Sequence, residues 1–459
     1  MGQGRESGRR SATVGRSHVN SSKFPQSGPL AHQEERCARS APYAFQESTQ
    51  VASSFILSNA RLADAREPVD IAVSDGRITA IEARISGDAQ RIDAAGRLVS
   101  PGLVESHFHL DKSRILDRVA PLEDRRATDY MKRVSAVKDT FTVEDTYERA
   151  RKTLEQCVLN GVMHMRTHIE VDPNVGLRGF EAIERLAKDY AWGIDVQLCV
   201  FLQEGWTNVP GAEANVVKAL ERGATAVGGA PRYDTDSAAQ IERIFALAKD
   251  FNVDVDIHGD GGYTTHDMMA WQICDLTDRI GWRGRTAIGH GNKYGSLTET
   301  ELVKLGKRLG ESGVAVSVLP ATDLFTSGRH QEHSVLRGVA DANALIAQGA
   351  NCSIATNNVL NPFTPYGDCS LVRIANMYAN VIQRGTGHDL SECFAMITDR
   401  AARILRRSDY GIAVGNPADL VVWDATSPAE VIATVAEPVM GFKRGRRTFT
   451  RETPTLHRP

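Results

Sequence analysis

The chain has 459 residues, 42% of them hydrophobic and 24% charged, with a formal net charge of -3. That is the composition of a soluble globular protein, long enough for one large α/β barrel with additions or for two to three ordinary domains. The charge gives no footprint for nucleic acid or an anionic membrane, and no apolar run reaches the roughly 18 residues of a membrane span.

Residues 1–50 are dominated by Gly, Ser, Arg and Gln and lack apolar periodicity. They read as a disordered extension. Glu6, Glu34, Glu35 and Glu47 argue against a transit peptide, and there is no apolar stretch for secretion. A start codon assigned too far upstream would also account for the segment. The seven cysteines (Cys37, Cys157, Cys199, Cys274, Cys352, Cys369 and Cys393) are scattered, odd in number and free of CxxC pairs. Neither a disulfide framework nor a thiolate zinc site is indicated, and a reducing cytoplasm is the simplest compartment.

Order is expected to begin near Phe55. FILSNARL and DIAVSDGRITAIE are short β-rich runs separated by turn residues, and RIDAAGRLVSPG adds another. They cannot bury a core alone. The partner is expected at the other end, where DYGIAVGNPADLVVWDA and PVMGFKRGRRTFT are also β-rich. The expectation is a small composite β-sandwich from residues 51–105 and 408–450, with 451–459 as a tail.

Between these pieces lies an alternating pattern. The first strand ends in His107-Phe108-His109. Successive side chains on a strand point to opposite faces, so His107 and His109 share one. Two imidazoles at that spacing can hold a divalent metal. Further strand-like runs cover 162–171, 195–203, 226–230, 253–260, 286–290, 314–320 and 351–357. Amphipathic helical segments separate them. One opens with Thr142 as N-cap and Asp145 at the box position. Eight strands alternating with helices predict a (β/α)8 TIM barrel over residues 106–407. Active-site groups in that fold sit at the C-terminal strand ends. His109, His168, Gln203, His258, His290 and Asn357 all fall at or near such ends.

The segments PGLVESHFHLDK, HMRTHIEV, QLCVFLQEGW, DVDIHGD, IGHGNK, NNVLNPFTPYGD and GIAVGNPADLVVWD occur in this order. The set resembles the amidohydrolase superfamily, and within it the cytosine deaminase-like clade, which includes N-isopropylammelide-type heterocycle hydrolases. The resemblance covers most of residues 53–447. It implies one divalent metal ion, Zn or Fe with Mn or Co as alternatives, and a small heterocyclic substrate. A homo-oligomer is expected, with neither nucleic acid nor membrane as partner. His107, His109 and His258 match the metal ligands. His290 matches the histidine that bonds the attacking water, Gln203 the glutamine on the heterocycle's amide edge, and Phe363 the aromatic wall.

Two positions depart from the clade's pattern. Gly261 stands where the clade keeps a glutamate that shuttles a proton to the ring nitrogen. Asn357 stands where it keeps an aspartate that binds metal and takes a proton from water. An amide is no general base near neutral pH. His290 and Asp260 are therefore the candidate catalytic groups, although Asp260 reads equally as an N-cap for the next helix. Asn357 is left as a pocket residue with Gln203 and Phe363. His168 reads equally as a core histidine, Asp111 and Lys112 as an ion pair at the barrel mouth, and His330 and His333 as solvated. Gly261 admits either a positive φ or close substrate approach.

Two functions remain open on the sequence. One is a metal-dependent hydrolase of a C–N bond in a small nitrogen heterocycle or related amide, a poor cytosine deaminase for want of the two acids. The other is a non-catalytic protein that keeps the fold and pocket. No GxSxG, Walker loop or GxGxxG with a suitable acid is present.

Overall fold

The computed structural model describes residues 54–124, 126–452 and 454–458; the expectation for residues 1–50 lies outside them. Two four-stranded sheets flank the barrel in sequence. One has the order β3-β2-β1-β4, from β1 (Ser54–Ala60), β2 (Val69–Ser74), β3 (Arg77–Glu82) and β4 (Gln90–Asp93). The other joins β5 (Val99–Pro101) to the C-terminal strands β14 (Leu420–Trp423), β15 (Pro438–Lys443) and β16 (Arg446–Thr450). Phe55, Leu57, Ile71 and Val73 share one buried cluster with Val99, Leu420, Val422 and Phe442. Each sheet supplies one face to this core, while the other face of β14, through Val421 and Trp423, packs into the barrel core.

The chain passes from sandwich to barrel at Gly102, earlier than the sequence pattern places it, because Leu103 already pairs with the next barrel strand. The barrel strands are β6 (Leu103–Phe108), β7 (Val162–Glu170), β8 (Asp195–Leu202), β9 (Ala226–Gly229), β10 (Asp254–Gly259), β11 (Thr286–His290), β12 (Val314–Val318) and β13 (Asn351–Ile354). All neighbours run parallel in sequence order. A bridge between Phe108 and Asn357 ties the two ends together. The Asn357 N–H donates to His107 O (3.0 Å) and its carbonyl accepts from His109 N–H (2.9 Å), so the closure runs through the site strand.

Helices start and stop where local chemistry dictates. The Thr142 hydroxyl accepts from Asp145 N–H at the head of Val143–Leu159, and Thr298 with Glu301 forms a reciprocal capping box for Glu299–Ser312. Among the described residues no helix is long and apolar enough to cross a membrane.

The sandwich is tied to the barrel floor by charge. The buried Lys443 Nζ donates to Asp419 Oδ2 (2.7 Å) and Asp195 Oδ2 (2.9 Å). His164 Nε2 lies 3.1 Å from Asp419 Oδ2. The ammonium stands where a cation would be drawn by this histidine and these two carboxylates.

Candidate metal centre and catalytic pocket

β6 is buried along its whole length, and its period of two aims His107 and His109 to one side. His258 arrives from β10. Its Nε2 lies 3.1 Å from His107 Nε2 and 3.0 Å from His109 Nε2. Two nitrogens each about 2.0–2.1 Å from a tetrahedral ion stand roughly 3.3 Å apart. His258 therefore stands at the spacing of a shared ligand pair from each of the other two imidazoles. Burial, followed by neighbouring cations and histidines, holds the His109 and His258 pKa values well below the usual range. Burial and then His168 push His107 down to about 3. Neutral rings keep their nitrogen lone pairs for a metal.

The floor of the site orients these rings. Asp256, two residues before His258 on β10, places Oδ1 3.5 Å from His107 Nδ1 and 3.2 Å from His168 Nε2. Its other oxygen is 3.2 Å from Arg166. The His168 ring stacks on His107 at 3.8 Å between centroids. Nitrogens of His107, His168 and His258 also lie within 4.8 Å of one another. His168 Nε2 has the Asp256 carboxylate 3.2 Å away but no hydrogen-bond partner, so His168 sits beside the ligands with both ring nitrogens uncommitted. β11 contributes by omission. A Cβ on Gly289 would stand 2.6 Å from His107 Cε1, so only glycine leaves room for the ring.

Asn357 follows β13 at φ 66°, His290 ends β11 at φ 80°, and Asp260 follows β10 at φ 51°. Asn, Asp and His are the side chains that tolerate this left-handed region best. Asn357 Nδ2 donates to Thr322 Oγ1 (3.1 Å), while its Oδ1 is buried with no hydrogen-bond partner. An orphaned carbonyl oxygen beside three neutral imidazoles fits a divalent ion as a fourth or fifth donor.

His290 Nδ1 lies 2.7 Å from Asp323 Oδ1. Asp323 is fully buried in the helix Pro320–Thr326 that follows β12. The contact fixes Nδ1 and leaves His290 Nε2 available to the cavity.

Asp260 does not join them. Both carboxylate oxygens are committed, to Met269 N–H (2.6 Å), Ala270 N–H (3.1 Å) and the Tyr294 hydroxyl (2.7 Å). Burial pushes its pKa up. These contacts match the capping role weighed for Asp260: its carboxylate holds the N–H groups at the start of the helix Ala270–Ile280, whose N-cap position is Met269. Gly261 has no left-handed φ; that conformation belongs to Gly262, at φ +106°.

The pocket over the histidines is a cavity of about 440 Å³, lined by Gln203, Phe363, Asn357 and His290 among others. Sequence reasoning missed what holds the Gln203 side. Lys112 does not pair with Asp111. The Asp111 carboxylate accepts backbone N–H groups of Lys112 (2.9 Å) and Glu170 (2.8 Å). The buried Lys112 Nζ instead donates to Glu170 (2.5 Å) and to Gln203 Oε1 (3.1 Å). It also lies 5.2 Å from the centroid of Phe363 and 5.3 Å from that of Phe201. Burial alone would raise the Glu170 pKa, but Lys112 and Lys138 pull it down to about 2. With Gln203 Oε1 occupied by an ammonium, its amide N–H groups are the part free to meet a ligand.

The amidohydrolase family model matches residues 98–448, and the chain belongs to that family. It is 29% identical over 407 residues to N-isopropylammelide isopropyl amidohydrolase of Pseudomonas sp. (strain ADP), covering 85% of this chain and 96% of the relative. It is 24% identical over 424 residues to pterin deaminase of Rhizobium rhizogenes, covering 88% and 95%. Among solved structures, 5-methylcytosine deaminase from Klebsiella pneumoniae liganded with 5-fluorocytosine superposes with a TM-score of 0.84 at 29% identity, covering 88% of this chain and all of that one.

Proposed function

We propose that the protein is a metal-dependent hydrolase that cleaves a C–N bond of a small nitrogen heterocycle or related amide, by deamination or by amide or N-alkyl cleavage. The carrying observation is the placing of His258 Nε2 within 3.1 Å of both His107 Nε2 and His109 Nε2 beneath a cavity with room for a small heterocycle. Relatives named for ammelide and pterin chemistry support the choice of bond and substrate class.

His107, His109 and His258 would hold the ion, with Asn357 Oδ1 as a weaker oxygen donor. A divalent ion there supplies Lewis acidity and a water nucleophile near neutral pH. Zn and Fe suit imidazole donors, with Mn or Co as alternatives. His290, fixed by Asp323, handles the proton taken from water and delivers it to the departing nitrogen. Phe363 packs on the ring face, and the Gln203 amide donates to a ring carbonyl or ring nitrogen. With Gly261 and Asn357 in place of two acids, a substrate with a good leaving group is favoured and cytosine is a poor one.

Those same two replacements favour a second reading, a non-catalytic protein that binds a ligand in the pocket. Release of ammonia or amine from aminopyrimidines, triazines and pterins by metal-loaded protein separates the two. Release that depends on the metal supports the hydrolase. Tight ring binding with no release at full metal loading supports the binder.

A further inference from the structure

The mouth of the pocket carries a charge pattern that the hydrolytic centre does not use. Arg232 lies in the short turn Pro231–Tyr233 that follows β9. Its Nη1 stands 2.6 Å from the point where a Cβ on Gly261 would be built. A guanidinium therefore fills the space beside the backbone where the resemblance places an acid.

Arg232 is exposed, with its guanidinium 5.1 Å from the Tyr233 ring centroid and, among the described residues, no carboxylate paired to it. The buried cations nearby are neutralised: Lys112 by Glu170, Lys138 by Glu170 and Glu204, and Lys293 by Asp267. Among the described residues, no carboxylate lies within 4.0 Å of Arg232, Arg329 or Lys132, all of which line the same cavity. Arg329 packs over Phe325, 4.6 Å from its centroid, and spends Nη1 on Phe325 O (3.0 Å). Its Nε is buried with no hydrogen-bond partner. A buried donor without a partner is costly. Asp129 is the one carboxylate among the lining side chains, against three unpaired cations.

We propose that Arg232 and Arg329 form an anion subsite at the pocket rim, and that the substrate is a heterocycle bearing a carboxylate. The proposal rests on the C–N hydrolase reading of the site beneath it. A ring against Phe363 would occupy the cavity that Gly261 and Arg232 also line. A carboxylate on the ring edge nearest Arg232 meets its planar fork, which matches it with two parallel hydrogen bonds. The unpaired cations also raise the local concentration of anions at the mouth. The exchange of an acid for an arginine thus changes what the pocket recognises at that edge, from a ring nitrogen to be protonated to a fixed negative charge.

The test is calorimetric binding to the metal-loaded protein of two matched pairs: cytosine-5-carboxylate against 5-methylcytosine, and pterin-6-carboxylate against 6-methylpterin. In at least one pair the carboxylate should bind about tenfold or more tighter, as expected for a charge-assisted bond. Arg232→Met should erase that preference with metal content unchanged, and Arg232→Lys should restore part of it. Equal or tighter binding of the methyl member in both pairs overturns the subsite, as does failure of both carboxylates to bind. A preference that survives Arg232→Met combined with Arg329→Met also overturns it. Ammonia release is measured in parallel. Carboxylate preference without release at full metal loading leaves the subsite standing and removes the hydrolase reading. Release without carboxylate preference does the reverse.

Discussion

Restoring the two missing acids should not restore a deaminase by itself, and Arg232 is the reason. In Gly261→Glu the new Cβ falls 2.6 Å from Arg232 Nη1. The obstacle is the far end of a flexible side chain, so the guanidinium swings aside and the fold is kept. The new carboxylate then lies within pairing range of an unneutralised arginine. An exposed pair of this kind is worth about 1 kcal/mol, which withholds the carboxyl about fivefold and lowers its pKa besides. Each well-placed acid–base group contributes ~10²–10⁴-fold, and such groups act as a unit. Cytosine turnover, followed as kcat/KM by ammonia release, should be little or none in the wild type. It should rise in Gly261→Glu with Asn357→Asp, and rise about fivefold further when Arg232→Ala is added. Melting curves run beside the assay verify that each variant is folded. A triple variant no better than the double would refute the role given to Arg232. Efficient cytosine deamination by the wild type would refute the larger claim that Gly261 and Asn357 cost the enzyme its proton transfers.

Three further predictions use other parts of the structure. Asp323→Asn should leave metal content unchanged while lowering kcat by ~10²-fold or more and shifting the pH profile of the reaction, because His290 loses the carboxylate that fixes its tautomer; an unchanged profile would place the proton elsewhere. Lys443→Met should destabilise the fold by about 3 kcal/mol, seen as a lower denaturation midpoint, because it strips a buried ammonium from Asp419 and Asp195. Asp419 also sets an acid limit: burial opposes its ionisation, but His164 and Lys443 hold its pKa at about 2 against an ordinary 3.8. Its contribution is therefore fully present above about pH 4 and lost as the pH falls toward 2, and urea midpoints that stay level from pH 5 to pH 2 would contradict the contact.

The barrel was legible because its strands carry their own signals. Each of the seven runs after β6 overlaps an observed strand, since buried parallel strands read as short apolar runs between amphipathic helices. His107 and His109 were legible for a similar local reason, a period of two on one strand. Asp260 shows the limit. An acid at a strand end serves equally well as a catalyst or as a cap, and only the positions of Met269, Ala270 and Tyr294 decide between them. Asp323, Glu170 and Arg232 left no local mark at all. Their roles depend on which loop residues turn inward across strands far apart in sequence, and on pairings such as Lys112 with Glu170 that displaced the nearer partner Asp111.

The central claim is that His107, His109 and His258 hold one catalytic ion. Metal content per chain, measured by mass spectrometry on purified protein after growth with added Zn, Fe, Mn or Co, tests it most directly when wild type and His258→Ala are compared. The structure predicts about one equivalent in the wild type and a marked loss in the variant, with wild-type amine release falling as chelator removes the ion. A wild-type protein that stays free of metal under every supplement, or a His258→Ala variant that keeps a full equivalent, would contradict the site.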